Sequence, residues 1–291
     1  MRDGLAISAP AKLNLSLHVT GRRDDGYHLL ETLAVFTDYG DVVRVAPSDI
    51  DRFDISGPFA DGLSADPANL VLRARDALRD AFPTIATGPV AIKLQKNLPV
   101  ASGIGGGSSD AAATFRALVS AWHLTVDDDG LSEIALPLGA DLPMCLAAKP
   151  LVARGAGEAL EPLKEWPVLH LVLVNPNRAV ATADVFHGLT RRDNPPLPPP
   201  PSRHNFAAIC AWLRATRNDL QVPALAIAPD IGRALAALEA AGASFSRMSG
   251  SGATCFGLFA TAEAAGNAAS AISALHPAWF VTATRSMASE D

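Results

Sequence analysis

The sequence predicts an α+β fold. Three observations carry this. Strands come in runs, several helices cluster, and strict strand–helix alternation is missing. The elements follow in order. Leu13, Leu15, Leu17 and Val19 fall on one face of the opening segment, with Lys12, Asn14, Ser16 and His18 on the other. That period of two predicts a half-buried strand. Gly21-Arg22-Arg23-Asp24-Asp25-Gly26 predicts a turn. Residues 29–37 read as the returning strand and 42–45 as a separate one after Tyr39-Gly40-Asp41, with 53–56 a further short strand. Asp66-Pro67-Ala68-Asn69 opens a helix to about Phe82, because Leu70, Ala74, Ala77, Leu78 and Ala81 recur at helical spacing. Val90, Ile92 and Leu94 mark a strand. Helices are expected at 110–122, 131–138, 205–216, 230–241 and 261–275, and strands at 168–174, 244–248, 253–259 and 279–284. Pro195-Pro196-Leu197-Pro198-Pro199-Pro200-Pro201 excludes helix and central strand and reads as an exposed, extended spacer. A soft boundary near 150–165 divides the chain into domains of 1–155 and 156–291.

Composition narrows the function. Of 291 residues, 49% are hydrophobic and 19% charged, enough for a sizeable core and too little charge for a disordered chain. The net charge of −6 argues against a nucleic-acid or anionic-membrane binder, so an anionic substrate requires local positive charge. Cys145, Cys210 and Cys255 are far apart and form no CxxC pair, which points to neither a disulfide framework nor a metal site. The apolar stretch between Arg2 and Lys12 is too short for a signal-peptide core, and no apolar run reaches membrane-spanning length. A cytoplasmic location is expected.

The strongest chemical signal is Pro99-Val100-Ala101-Ser102-Gly103-Ile104-Gly105-Gly106-Gly107-Ser108-Ser109. Four glycines in five positions suit close backbone approach to a ligand, or positive φ. A helix follows directly, with Ser108 or Ser109 as its cap. Free amides and the macrodipole at a helix start attract a phosphate. The Walker A string is absent. The dinucleotide fingerprint lacks its third glycine, although Asp127, Asp128 and Asp129 lie where a ribose-binding acid would be. Phosphate binding, a nicotinamide-dependent oxidoreductase and a tight structural turn all remain open readings of the loop alone. A second loop, Met248-Ser249-Gly250-Ser251-Gly252-Ala253, is either a hairpin turn or a second phosphate approach. Asp141 in Gly139-Ala140-Asp141-Leu142-Pro143 is either a helix cap or a base. Lys12 and Asn14 share the polar strand face, as solvated edge residues or as a site wall. Tyr27 and His28 stack on and hydrogen-bond a base, or simply pack.

Together these segments resemble the GHMP kinase superfamily over essentially the whole chain. The carriers are Ala9-Pro10-Ala11-Lys12-Leu13-Asn14-Leu15, Gly26-Tyr27-His28, Gly105-Gly106-Gly107-Ser108-Ser109-Asp110-Ala111-Ala112, Leu138-Gly139-Ala140-Asp141-Leu142-Pro143, Asn218-Asp219-Leu220 and the 248–253 loop. The Gly-Tyr-His segment narrows the resemblance to the branch acting on cytidine diphosphate-linked methylerythritol in the non-mevalonate route to isoprenoids. The resemblance implies two α+β domains with the active site between them, and transfer of the ATP γ-phosphate to the substrate's 2-hydroxyl. It implies Asp141 as catalytic base with Lys12 beside it, and residues 99–109 on the ATP phosphates, with Asn69 and Lys96 near the nucleotide. Tyr27, His28, Asn14 and Thr182 match substrate-contacting positions. ATP and Mg2+ are expected, in a monomer or weak homodimer. One departure stands out: the family places a glycine where this chain has Ala101, so a positive φ there would be strained.

Overall fold

The computed structural model describes residues 4–24 and 26–289. Two sheets carry the fold. The first has β1 (Leu5–Arg22) paired with β2 (His28–Pro47), and the order β3 (Arg52–Ser56), β4 (Val90–Gln95), β2, β5 (Leu151–Gly155), β6 (Ala159–Pro162). β3 and β4 are parallel, connected through α1 (Leu70–Ala81), whereas β2–β4, β2–β5 and β5–β6 are antiparallel. The second sheet is antiparallel throughout, in the order β10 (Phe280–Arg285), β7 (His170–Asn175), β9 (Cys255–Phe259), β8 (Phe245–Met248). The remaining helices are α2 (Gly106–Ala121), α3 (Asp128–Ala135), α4 (Leu142–Ala147), α5 (Thr182–His187), α6 (Phe206–Arg214), α7 (Gln221–Ile227), α8 (Asp230–Ala240) and α9 (Ala262–Leu275). None is long and apolar enough to cross a membrane among the described residues.

The chain forms two compact units, each assembled from separate stretches. One comprises the segment up to Ala11, Gly40–Val100 and Gly105–Ala148. Here α1 packs on α2 through Val71, Leu72, Ala74 and Leu78 and the buried run Ala111–Ala113, Phe115 and Leu118. The other comprises Lys12–Tyr39, Ala101–Ile104 and the chain from Lys149 on. Its core gathers Leu17 and Val19 of β1, Val172 and Val174 of β7, Ile231 and Leu238 of α8, and Ile272 of α9.

Several expectations are corrected. The strands expected at 29–37 and 42–45 are one strand, His28–Pro47. Gly40 sits inside it because a Cβ there would lie 2.2 Å from Ala9 O, so it marks close backbone passage and not a turn. β1 is buried on both faces from Ala9 to Val19. Its polar side chains find partners instead of water. Asn14 Nδ2 donates to Thr32 Oγ1 at 2.8 Å, Ser16 Oγ accepts from Leu33 N–H at 3.3 Å, and His18 Nε2 accepts from Arg217 N–H at 3.2 Å. The predicted helix at 131–138 begins earlier, at Asp128, and its last turn is a 3-10 turn over 136–138. β5, β6, α5 and α7 escape the sequence patterns.

The proline-rich segment is docked and not a free spacer. Leu197 is buried, and its N–H donates to Glu31 Oε2 at 2.8 Å. Pro195 O faces His18 Nδ1 at 3.2 Å and accepts from Arg217 Nη2 at 2.5 Å, while Pro199 O accepts from Trp212 Nε1 at 2.8 Å. Proline removes N–H donors but leaves carbonyls, and those carbonyls anchor the segment.

Candidate active site

The unit containing α2 supplies a helix start. Its cap is Gly105 in the left-handed conformation at φ +64°, and no side chain caps the first turn. The serines expected to cap lie inside the helix. Ser109 is buried, with its Oγ donating to Pro10 O at 2.6 Å. A first turn opened by Gly105, Gly106 and Gly107 presents backbone amides with no Cβ in the way, the arrangement that receives a phosphate.

Beneath this turn lies a buried ion cluster. Lys96 Nζ sits 2.5 Å from Asp41 Oδ2 and 2.8 Å from Asp110 Oδ2. Asp41 Oδ1 also accepts from the Asn97 and Leu98 N–H groups at 2.5 and 2.8 Å. A Cβ on Gly106 would lie 3.0 Å from Lys96 Nζ. Lys96 is therefore placed under the loop with its ammonium engaged by two carboxylates. Burial, set against the attraction of Lys96, pushes the Asp110 carboxyl up to about 8. Asn69 caps α1: its Oδ1 accepts from Val71 N–H at 3.0 Å and its Nδ2 donates to Ser64 O at 2.9 Å. Asp141 does occupy the cap position of α4, but its side chain makes no capping bond. Asp127, by contrast, is a working cap, accepting from Gly130 N–H at 2.9 Å.

The other unit carries residues 101–104 of the loop. Ala101 adopts φ +50°, the strained conformation expected from its missing glycine, at a cost of about 1–2 kcal/mol. Gly103 interlocks with the second glycine loop: a Cβ on it would lie 2.5 Å from Ser249 O and 2.6 Å from Gly252 N. Ser249 Oγ donates to Gly103 O at 2.9 Å and accepts from Asn14 N–H at 3.1 Å, and Thr254 N–H donates to Ser102 O at 3.1 Å. Asn218 Nδ2 holds the turn by donating to Met248 O at 2.8 Å and Gly250 O at 2.9 Å. The 248–253 loop joins the antiparallel pair β8–β9, as its hairpin reading expects, and it also buttresses the glycine-rich loop, a partner that neither reading named. Lys12 N–H donates to Ile104 O at 2.9 Å, tying β1 to the same loop, and the lysine side chain is buried. Thr182 Oγ1 lies 2.9 Å from Ser251 Oγ. Residues 101–104, the buttress, Lys12, Asn14 and Thr182 are therefore connected through named bonds within this unit.

Tyr27 is 63% exposed. The His28 ring stacks on Phe186, centroids 4.6 Å apart at 25°, and its Nε2 is buried with no hydrogen-bond partner. Burial, helped by the positive charges of Arg22, Arg192 and His187, lowers the His28 pKa and keeps the ring neutral. Phe186 went unnoticed in the sequence because it lies 158 positions from His28 by number and sits on a short helix with no pattern of its own.

Comparison with known proteins bears on this arrangement. The GHMP kinases N terminal domain matches residues 69–149 and the GHMP kinases C terminal domain residues 202–278. A Mesorhizobium japonicum protein named 4-diphosphocytidyl-2-C-methyl-D-erythritol kinase is 60% identical over 282 residues, covering 97% of this chain and 96% of its own. A crystal structure of 4-(cytidine 5'-diphospho)-2C-methyl-D-erythritol kinase superposes with a TM-score of 0.79 at 33% identity, over 97% of this chain and all of the other. Homoserine kinase from Cytophaga hutchinsonii shares the fold at a TM-score of 0.70 and 18% identity, over 99% of this chain and 96% of its own. The chain belongs to the GHMP kinases, and within them to the 4-diphosphocytidyl-2-C-methyl-D-erythritol kinases, ATP-dependent phosphotransferases with an alcohol group as acceptor.

Proposed function

We propose that this chain transfers the γ-phosphate of ATP to the 2-hydroxyl of 4-(cytidine 5'-diphospho)-2-C-methyl-D-erythritol. The observation that carries the acceptor assignment is the His28–Phe186 stack beside the exposed Tyr27. A flat aromatic platform suits a nucleobase, which offers a π-face. Tyr27, exposed beside it, supplies a second aromatic face.

In this reading residues 99–109 cradle the ATP phosphates with backbone amides and the α2 dipole. Asn69 and Lys96 lie near the nucleotide. Mg2+ enters with ATP, held by phosphate oxygens, and neutralises charge on the polyphosphate. Asp141 accepts the proton of the attacking hydroxyl, and Lys12 orients the reacting groups and steadies developing negative charge. Asn14 and Thr182 contact the methylerythritol end.

The test is ADP release from Mg-ATP with and without the cytidylated methylerythritol, with phosphorus NMR of the acceptor. ADP formed only with acceptor, together with a new phosphomonoester signal, is expected. Asp141→Asn should retain ATP binding and lose about 10²-fold or more in kcat. Near-normal turnover by that variant removes Asp141 as the base.

A further inference from the structure

A net charge of −6 requires any anionic acceptor to meet positive charge concentrated locally. Three positive or protonatable groups, Arg22, Arg192 and His187, act on His28. Arg22 comes from the end of β1, with its Nε anchored to Gly26 O at 3.1 Å. His187 ends α5, next to the stacking Phe186. Arg192 follows five residues on. Its neighbours Arg191 and Asp193 pair with each other, Nε to Oδ1 at 3.0 Å. Arg192 stays outside that pair, partly buried, with a solvent-sealed Nε that has no hydrogen-bond partner. Among the described residues, no carboxylate figures in the charges acting on His28.

Two sealed, unpartnered ring or guanidinium nitrogens on one patch need an explanation. A buried donor left unmade costs about 1–3 kcal/mol, and a bound ligand, ion or water is one way that cost is relieved. The two atoms differ in chemistry. His28 is neutral and stacked on an aromatic ring, suited to a base. A guanidinium in a patch whose charges on His28 are all positive is suited to a multiply charged oxyanion, which it grips with a planar fork.

We propose that Arg192, supported by Arg22 and His187, anchors the diphosphate of the cytidine nucleotide whose base lies at the His28–Phe186 stack. This rests on the cytidine reading above. It divides recognition into a base subsite on neutral groups and a phosphate subsite on cationic ones. Arg192 is then a residue that sets specificity for the nucleotide-linked acceptor over the free alcohol.

The test is a competition ladder on the full chain at saturating Mg-ATP. Cytidine, CMP, CDP and UDP are each run as inhibitors against the cytidylated acceptor, for the wild-type protein, R192M and R192K. CDP is expected to inhibit at least about tenfold better than cytidine in the wild type. R192M should erase most of that gain, leave cytidine inhibition in place, raise the KM of the acceptor about tenfold and leave the KM of ATP unchanged. R192K should recover part of the gain, because charge returns without the fork. Thermal melting confirms that each variant is folded. If R192M is unfolded, R22M is read in its place and should lose a smaller part of the CDP gain. Equal weakening of cytidine and CDP by R192M overturns the anchor and leaves the base subsite standing. So does a wild-type protein for which CDP is no better than cytidine. If UDP competes as well as CDP, or no cytidine compound competes, the cytidine reading itself falls and the anchor with it.

Discussion

Lys96 and Arg247 are buried to similar depths, 3% and 8% exposed, and are held in opposite ways. Lys96 lies between the carboxylates of Asp41 and Asp110. Among the described residues, Arg247 pairs with no carboxylate. Its Nη1 donates to Leu15 O at 2.9 Å and Thr216 Oγ1 at 3.0 Å, and its Nη2 to Leu213 O and Thr216 O, each at 2.8 Å. Its guanidinium carbon lies 4.6 Å from the centre of the Phe245 ring. The difference follows from the two cations. An ammonium is a compact, strongly hydrated charge and needs counter-charge to leave water. A guanidinium is weakly hydrated and spreads its donors over a plane, so neutral carbonyls and a ring face suffice.

The electrostatic consequences also differ. Burial works against the Lys96 charge, but Asp110 and Asp41 outweigh it and raise the Lys96 pKa. With both acids ionised the cluster would carry a net negative charge, and a proton on Asp110 cancels it. Burial lowers Arg247 to about 10, which still leaves it charged at neutral pH. One site titrates near neutrality and the other does not. The one that titrates lies directly beneath the amides of Gly106.

Lys96→Met should have the largest effect, because it leaves two buried carboxylates facing each other. A loss of about 3–5 kcal/mol in urea unfolding is expected at pH 8, and a smaller one at pH 5.5, where protonation relieves the repulsion. Equal losses at both pH values would show that Lys96 acts by packing alone. Arg247→Lys should come next, at about 2–3 kcal/mol, since one ammonium cannot reach the acceptors that the fork spans. The same unfolding experiment should give the same loss at pH 5.5 and 8. A loss that changes with pH would mean the two buried cations are less distinct than their partners suggest.

Asp110→Asn should have the smallest effect and the most informative sign. Folded Asp110 holds its proton up to about 8, above the model-peptide value of 3.8 that applies in the unfolded chain. The folded state therefore binds the extra proton between these values, and this group makes wild-type stability fall as pH rises from about 4 to 8. The variant lacks that slope. Relative to wild type it should gain on the order of 1–2 kcal/mol between pH 5 and pH 8, after allowance for coupling within the cluster. Parallel stability curves for the two proteins would remove Asp110 as the titrating member.

Much of the candidate site was legible in the sequence because its signals are local. The glycine run, its position before a helix, the Lys12–Asn14 face and the Gly-Tyr-His turn all sit within a few residues of chain. The strain at Ala101 was legible only through the family resemblance, which places a glycine there and so implies a positive φ. The cap of α2 was misplaced by up to four residues because serine is the commoner cap, while here glycine takes a left-handed turn. The docking of the proline-rich segment was not legible: its anchors are backbone groups, the carbonyls of Pro195 and Pro199 and the N–H of Leu197, which no sequence pattern displays.

The sequence by itself determined the fold class, the glycine-rich loop before a helix and the motifs that define the family, because periodicity, glycine placement and spacing act through neighbours along the chain. Tertiary structure alone decided that both faces of β1 are covered, that the second glycine loop buttresses the first, and that Phe186 stacks on His28. It also decided that Asp41, Lys96 and Asp110 share one buried cluster. These depend on which strands pair and which backbones pass within a few ångströms. A one-dimensional pattern carries no term for contacts between residues dozens to hundreds of positions apart.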